Sequence, residues 1–446
     1  MSTTTGSSGS TIPTANYVNS ISSDFPNPNR AYKVESTITN RYLRDYAPTN
    51  AHLSNGVVED NYIEFILNSN QQEFLDCTSL ALEMKMKIVD SKGEAPGEDA
   101  KISVIDGLGH RILSRMTLYF NGIPIETNNF FGLWSALKTY TSMSKDKLDS
   151  VGRNMFYKSL SHDIIGTFNS TNFPTTSDND EQKIAAQCKS ILHFVTPLHL
   201  DVGTGDFYLM NGVDVRLRFD LSPASLLINS TDNVEYNYKI FNIKLWAQKV
   251  VPTQEALMSL NHKLINYNAH IEYIVDRPII KNYVFGVGQS ILSLDNIFNG
   301  VVPHMVYVFF MKQKAINGAY TENGANLIHC DMSSLRLDLN GNTVTSLSSK
   351  FPDEIANLFH NTLFNLKDSA HLLTHHNFKN GRTIHTFDLT ASDCRDDLKI
   401  EKSGNLRLTI QLKTPNVENI SAFIIGITNG LIELDSARRV KTSYLM

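Results

Sequence analysis

The densest group of residues that could do chemistry in this chain is a run of histidines, His371, His375 and His376. On a helix, the four-residue spacing between the first two would place two imidazoles on one face, and paired imidazoles are common zinc ligands. No carboxylate or cysteine stands at a recognisable spacing to complete such a site. We therefore predict that these histidines are exposed or packed in a loop and hold no metal ion.

A second group of residues is acidic and surrounds a cysteine. Asp393, Asp396 and Asp397 lie beside Cys394, and clustered carboxylates are the ligands that a hard cation such as Ca²⁺ prefers. Aspartates are equally common in turns and loops, where their side chains bond to the local backbone. We predict a solvated loop at this position rather than a cation site.

Two further motifs lack part of the pattern that their chemistry requires. Gly286 and Gly288 resemble a glycine-rich phosphate loop, but the Lys-Ser/Thr ending is missing. Arg438, Arg439 and Lys441 form a short basic cluster that could contact nucleic acid or a neighbouring subunit, and its length does not decide between the two. The sequence thus predicts no catalytic, metal-binding or cofactor-binding residue, and we expect a protein that is not an enzyme and uses no cofactor.

Composition and charge narrow the class of protein. Of the 446 residues, 41% are hydrophobic and 19% are charged, which is typical of a folded globular protein long enough for two domains. The formal net charge of -5 argues against a protein that mainly coats nucleic acid. No signal-peptide pattern begins the chain, and its four cysteines lie far apart, so we expect reduced thiols in a reducing compartment, the cytoplasm or the nucleus. These cysteines are Cys77, Cys188, Cys330 and Cys394.

Most of the chain predicts β-strands. Between Leu80 and Ile88, apolar residues alternate with Ala, Glu and Lys, which is the two-residue period of a strand with one buried face. Asn121-Gly122 is typical of a tight hairpin turn. Helices are few, and the apolar spacing predicts three of them, at about residues 131–142, 252–265 and 351–363.

The two halves of the chain repeat the same order of features, which is the main architectural signal. The correspondences, in chain order, are Tyr62–Ile66 with His270–Ile274, Leu80–Ile88 with Val306–Lys312, Leu118–Gly122 with Leu337–Gly341, the helix at Phe131 with that at Phe351, Val215–Leu221 with Leu406–Leu412, and Tyr238–Val251 with Phe423–Leu434. Each match alone is weak, but their shared order favours two β-sandwiches of similar topology. The alternative is a single large irregular β protein.

We therefore predict an all-β protein of two tandem eight-stranded jelly-roll sandwiches, a double jelly roll with a few short helices and long inserted loops. The predicted boundaries are a flexible N-terminal arm at residues 1–55, a first jelly roll at 56–251, a helical linker at 252–268 and a second jelly roll at 269–446. Ser, Thr and Gly dominate the start of the arm, so it is either a disordered tail or a segment that orders on contact with a neighbour.

Six segments carry a resemblance that covers roughly residues 62–440. They are Phe207–Leu217, Ile240–Val250, Ala319–Asn342, Phe387–Thr390, Ser403–Leu408, and Leu431–Asp435 with Arg438–Val440. In this order they resemble segments of the major capsid proteins of Polinton (Maverick) elements and adintoviruses. The similarity is strongest in the C-terminal third and weakest between residues 142 and 190. Its motifs are structural rather than catalytic.

The resemblance implies a building block of a viral shell. Three copies of an upright double jelly roll would form a homotrimer with a pseudo-hexagonal outline, a hexon that tiles an icosahedral capsid around double-stranded DNA. The implied partners are other copies of this chain, neighbouring capsomers, vertex (penton) and minor capsid proteins, and weakly the packaged DNA or an internal membrane. The implied location is the virion, after synthesis in the host cytoplasm and assembly in the nucleus or cytoplasm.

Two other functions remain open from the sequence. One is a glycan- or receptor-binding β-sandwich, such as a spike or lectin, which would usually carry a signal peptide and disulfides. The other is a carbohydrate-active enzyme, which should offer paired carboxylates in an aromatic-lined cleft. The two tryptophans, Trp134 and Trp246, both lie in elements that we predict to be core.

Overall fold

Strands dominate the computed structural model of the chain. It describes residues 38–49, 53–54, 57–58, 61–68, 70–158, 165–169, 187–205, 207–231, 234–267, 269–348, 355–367, 370–390 and 402–444. The acidic group at Asp393, Asp396 and Asp397, with Cys394, lies outside these residues. No helix within the described residues is long and apolar enough to cross a membrane.

The described residues of the first half form twelve strands, and only one of their helices is longer than five residues. The strands are β1 (Ile38–Tyr46), β2 (Leu53–Ser54), β3 (Val57–Val58), β4 (Tyr62–Leu67), β5 (Phe74–Asp90), β6 (Ile102–Val104), β7 (Leu113–Phe120), β8 (Ile123–Asn128), β9 (Ile191–Pro197), β10 (Val215–Leu221), β11 (Ile228–Ser230) and β12 (Tyr236–Pro252). The helices are α1 (Leu108–Arg111), α2 (Phe131–Ser142), α3 (Lys145–Lys147), a π-turn (Leu148–Gly152), a 3-10 turn (Asp201–Gly203) and α4 (Ala224–Leu227).

The second half follows a linking helix, α5 (Gln254–Asn266), whose first turn is capped by Thr253. Its strands are β13 (Ile271–Phe285), β14 (Ile291–Leu294), β15 (Val301–Val302), β16 (Met305–Lys312), β17 (Met332–Leu339), β18 (Asn342–Ser348), β19 (His385–Asp388), β20 (Lys402–Ser403), β21 (Leu406–Leu412), β22 (Ile420–Leu434) and β23 (Val440–Tyr444). Its helices are α6 (Gln313–Ile316), α7 (Ile355–Leu366) and α8 (His375–Lys379).

Both halves have the same antiparallel topology. In the first half one sheet runs β1-β12-β5-β9, with β2 and β3 attached, and the facing sheet runs β4-β10-β7-β8. In the second half the corresponding sheets run β13-β22-β16-β19 and β14-β21-β17-β18. Counting the eight main strands of each half in chain order, both halves pair 1-8-3-6 and 2-7-4-5. This is the strand order of a jelly roll, so the predicted double jelly roll is confirmed.

Most of the predicted repeat is confirmed by this topology. The strands β5 and β16, the hairpins β7-β8 and β17-β18, the helices α2 and α7, the strands β10 and β21, and the strands β12 and β22 occupy equivalent places. The match of Tyr62–Ile66 to His270–Ile274 is wrong, because β4 is the second strand of its sandwich and β13 is the first. The equivalent of β13 is β1.

The predicted flexible arm at residues 1–55 needs correction for the same reason. Ile38–Tyr46 forms β1, which pairs with β12 along nearly its full length, from Ile38 opposite Pro252 to Tyr46 opposite Leu245. Most side chains of β1 stay exposed, so the two-residue apolar pattern that reveals other strands is missing here. Its backbone hydrogen bonds place it in the first jelly roll. Residues 1–37 lie outside the described part of the chain.

A separate apolar cluster joins the two jelly rolls. Helix α2 of the first half contributes Trp134, Leu137 and Tyr140, and the sheet of the second half contributes Phe309 and Phe423, with further members from both. Strand β22 is buried on both faces over most of its length, because one face lines its own sandwich and the other meets this helix. Trp134 is therefore core, as predicted, whereas Trp246 is only partly buried and donates to Glu83.

The two predicted hairpin turns are equivalent. Asn121 and Gly122 have φ of 48° and 81°, and Asn340 and Gly341 have φ of 51° and 82°. Positive φ at both central residues defines a type I′ turn, which fits the twist of a two-residue hairpin. The first turn connects β7 to β8 and the second connects β17 to β18, which are the fourth and fifth main strands of their jelly rolls.

Replacing Gly122 by valine should destabilise the protein by about 1 kcal/mol or more, because a branched side chain disfavours positive φ. A Cβ at this position would meet nothing within 4 Å, so backbone strain alone is tested. Gly97→Val is the matched control, since Gly97 is equally open and has no positive φ. Urea unfolding of both variants measures the difference, and equal losses would contradict the turn assignment.

Candidate functional site

The candidate groups that the sequence analysis considered lie apart from one another, as far as the structure describes them. His375 and His376 open helix α8, which Thr374 caps, and both are exposed. Gly286 and Gly288 lie in the turn between β13 and β14. Within the described residues, no group of three or more His, Cys, Asp or Glu side chains could hold a metal ion.

The basic residues near the C-terminus make hydrogen bonds and ion pairs within the folded chain. Arg438 is partly buried; its Nε donates to the carbonyl of Asn211 at 2.9 Å and its Nη2 to the Asn211 side chain at 3.1 Å. The side chain of Asn121, in the β7-β8 turn, donates to the carbonyl of Arg438 at 2.8 Å. Arg439 and Lys441 pair with Asp435 and Glu433 on the surface. The contacts of Arg438 with Asn121 and Asn211 tie the C-terminal segment to the first jelly roll.

The chemically unusual part of the molecule is a buried ion pair between the two jelly rolls. Asp106 follows β6 in the first half, and Arg382 precedes β19 in the second. Arg382 Nη2 lies 2.8 Å from Asp106 Oδ2, and the two side chains are 1% and 0% exposed. Ion pairs this deeply buried are rare, because each ion loses its hydration.

Asp106 is bonded at both carboxylate oxygens. Oδ1 accepts from the backbone N–H of Lys158 at 2.7 Å, and Oδ2 also accepts from the Tyr140 hydroxyl at 2.7 Å. The Arg382 guanidinium also stands over the Tyr140 ring, 4.9 Å from its centroid. Burial alone would raise the pKa of Asp106, but Arg382 and Lys158 hold it below its usual value. The carboxylate therefore stays charged, and its bonds hold the two jelly rolls in one arrangement.

A buried histidine pair lies beside this cluster. The rings of His110 and His199 stack with centroids 4.9 Å apart. His110 Nε2 donates to the carbonyl of Pro197 at 2.9 Å, so Nδ1 accepts from the Tyr157 hydroxyl at 2.8 Å. Burial lowers the pKa of His110 to about 4. Burial, and then the neighbouring His110, lowers the pKa of His199 well below its usual value, so both rings are neutral at neutral pH.

Two carboxyl groups meet at a second buried point between the jelly rolls. Glu126 on β8 and Asp201 in the 3-10 turn are each 6% exposed, and the backbone N–H of Asp201 donates to Glu126 Oε2 at 2.9 Å. Burial, then the charge of Asp201, raises the pKa of Glu126 well above its usual value. Burial also raises the pKa of Asp201 to about 7, against the opposing effects of Arg277 and Lys138.

The pair should make stability fall as the pH rises. Both carboxyls have a folded-state pKa above the unfolded-state value, so the native chain keeps a proton that the unfolded chain loses above about pH 4. That contribution is present below the unfolded pKa and is lost as the pH rises through about 7. The other charged groups that face the pair are Arg277 and Asp276 on β13 and Lys138 on α2.

Glu126→Gln should therefore raise the melting temperature at about pH 8 and flatten its decline between about pH 6 and pH 8. The amide keeps the shape of the side chain and cannot become a second buried charge. Thermal unfolding over this pH range measures the effect. Glu94→Gln, at an exposed glutamate, is the control and should leave the profile unchanged. A Glu126→Gln profile that matches the parent chain would contradict the assignment.

Sequence reasoning missed these interactions for a physical reason. Asp106 and Arg382 stand 276 positions apart, and no spacing rule connects them. The available signal was a lone aspartate following the apolar run Ile102–Ile105, since a charge in such a run must find a partner when it is buried. That signal identifies Asp106 but not its partner.

Comparison with solved structures finds the same double jelly roll in viral capsids. A chain in the 3.5 Å cryo-EM structure of the Sputnik virophage matches with a TM-score of 0.61 and 12% identity, covering 94% of this chain and 91% of that chain. The Faustovirus major capsid protein matches with a TM-score of 0.59 and 10% identity, covering 90% and 92%. The mavirus major capsid protein matches with a TM-score of 0.54 and 12% identity, covering 99% and 97%.

At these identities the similarity shows a shared fold. No protein-family model matches the sequence, and no curated protein matches it.

Proposed function

We propose that this chain is the major capsid protein of an icosahedral virus or virus-like element with a double-stranded DNA genome. The observation that carries the proposal is the presence of two jelly rolls of identical strand order in one chain, held in a fixed arrangement by a shared apolar cluster and a buried ion pair. The matches to capsid proteins over nearly the whole chain support it. The sequence motifs favour the Polinton and adintovirus type.

Three copies form a capsomer in this proposal. Each chain supplies two similar sandwiches, so a homotrimer presents six and fits a hexagonal lattice. Vertex and minor capsid proteins would complete the shell, in which the chain acts as a structural part of the virion and not as an enzyme.

Exposed apolar residues on sheet edges support this self-association. Edge strands offer unpaired backbone groups, and an apolar side chain there favours pairing with another chain. In the described part of the chain, seven of the exposed large apolar residues lie on strands with one unpaired side: Leu43 on β1, Ile66 on β4, Ile123 on β8, Ile191 on β9, Val284 on β13, Ile291 on β14 and Val344 on β18. Neighbouring copies would cover these edges in the shell.

The mass of the native assembly tests the proposal. Light scattering or native mass spectrometry should give about three times the 50.0 kDa of the chain, and electron microscopy should show hexagonal capsomers or shells. Lysine at both Ile191 and Val344 should weaken the trimer without unfolding the chain, whereas Val417→Lys, in an exposed loop, should not. A stable monomer at high concentration would contradict the proposal, and one that binds glycans would favour the lectin-like alternative.

A further inference from the structure

A small apolar cavity lies where the connections of the two jelly rolls meet. Its volume is about 230 Å³. The apolar lining of the first half includes Leu133 and Leu226, and that of the second half includes Met311, Ile316 and Phe423. Apolar clefts with a few placed polar groups are the usual form of small-ligand sites.

Two glycines in the wall of this cavity pack closely against neighbouring elements. Gly132, in the first turn of α2, lies so close to α1 that a Cβ there would come within 2.6 Å of the Leu113 carbonyl oxygen and 2.8 Å of that of His110. Gly324, on the opposite side, approaches Ile105. Both glycines line the cavity, so at these two points a larger residue would reduce its volume.

One charged side chain lines this apolar space. Arg111 is 9% exposed, and its Nη1 donates to the neutral carbonyl oxygen of Gly324 at 3.2 Å. Its buried Nε has no hydrogen-bond partner, and within the described residues no carboxylate pairs with it. Asp106, in the same connection, is engaged by Arg382. A buried guanidinium without a counter-charge is costly, and an anion offsets that cost.

We propose that this cavity binds an amphipathic anion of the fatty-acid class, with its carboxylate at Arg111 and its alkyl chain against Met311, Ile316 and Phe423. A guanidinium is well matched to a carboxylate, because its N–H groups can make two parallel charge-assisted hydrogen bonds. The ligand would touch both halves of the chain, so its binding stabilises their junction. This site is separate from the sheet edges that we propose for self-association.

The experiment compares ligands of one chain length on the full-length chain. Decanoate should raise the melting temperature in a concentration-dependent way, and calorimetry should show it binding about tenfold or more tightly than decanol. Affinity should increase by about threefold to fourfold for each methylene from hexanoate to octanoate, until the cavity is filled. Equal binding of decanol, or equal stabilisation by inorganic phosphate, would overturn the proposal, as would the absence of any decanoate binding.

Single substitutions separate the contribution of the Arg111 charge to ligand binding from that of the apolar cavity. Arg111→Gln should weaken decanoate by about tenfold and leave decanol unchanged, whereas Arg111→Lys should retain part of the preference for the anion. Ala315→Phe should fill the space and abolish binding of both ligands. Arg153→Gln, at a partly exposed arginine outside the cavity, is the matched control. If Arg111→Gln does not fold, the comparison of decanoate with decanol on the parent chain decides alone.

Discussion

Replacing Arg382 by methionine should destabilise the protein by about 3–5 kcal/mol, because it leaves the Asp106 carboxylate charged and without its counter-ion in a fully buried position. Methionine keeps most of the apolar volume of the arginine stem, so cavity formation adds little. The loss should shrink as the pH falls, because without Arg382 the burial of Asp106 raises its pKa and favours the neutral, protonated carboxyl.

The same substitution should uncouple the two jelly rolls. Trp134 lies in the apolar cluster between them, whereas Trp246 lies in the first jelly roll. Urea unfolding followed through one tryptophan at a time, with the other replaced by phenylalanine, should give coincident transitions in the parent chain. In Arg382→Met the Trp134 signal should change first, because the interface opens before either sandwich unfolds.

Two further variants show whether the loss of stability in Arg382→Met comes from the unpaired charge or from the change in side-chain volume. Asp106→Leu with Arg382→Met removes both ions and should recover more than half of the loss, since apolar residues commonly replace a buried pair without penalty. Arg336→Met breaks a pair with Asp338 in which the arginine is 50% exposed, and it should change stability far less. A loss below about 1 kcal/mol for Arg382→Met, with coincident transitions, would show that the apolar cluster alone fixes the arrangement.

The strands that the sequence predicted are those in which apolar, buried side chains alternate with polar, more exposed ones. Leu80–Ile88 alternates because one face of β5 lines a sandwich and the other does not. The hairpin turns were equally readable, since few residues other than Asn and Gly accept positive φ at both positions. The local sequence was sufficient to predict a strand wherever one face of that strand lines a core and the other face does not.

Other features depend on neighbours that are distant in sequence. Strand β1 is held by backbone pairing to β12 and keeps most of its side chains in solvent, so no apolar pattern identifies it. Because β1 was not predicted, Tyr62–Ile66 was taken as the first strand of the first half. It was therefore matched to the first strand of the second half, which is wrong. The Asp106–Arg382 pair could not be predicted for a related reason. The two residues are distant in sequence, and only the tertiary fold brings them together.

A chain that begins at Asn55 should be less stable than the full-length chain by about 2–4 kcal/mol and should self-associate. This cut removes the short strand β2 and also β1, which covers one side of β12 between Leu245 and Pro252. Ile38 and Tyr46 pack on the core of the first jelly roll, so their loss re-exposes apolar surface as well as backbone hydrogen-bonding groups. The sequence alone predicted a flexible arm at residues 1–55, whose removal would leave the first jelly roll intact.

A chain that begins at Thr37 is the matched control, because it keeps β1 and removes only the residues before it. We expect it to melt close to the full-length chain and to form trimers. If the segment before Thr37 acts as an assembly arm, this shorter chain should nevertheless form shells poorly, which electron microscopy would show.

Comparing the two truncations by thermal unfolding and light scattering separates folding from assembly. The chain that begins at Asn55 exposes the edge of β12 from Leu245 to Pro252, and an open strand edge can pair with other chains. Its aggregates should therefore grow with protein concentration, unlike those of the control. If both truncated chains melt together and stay dispersed, β1 contributes little to the first jelly roll and the original boundary near residue 55 is restored.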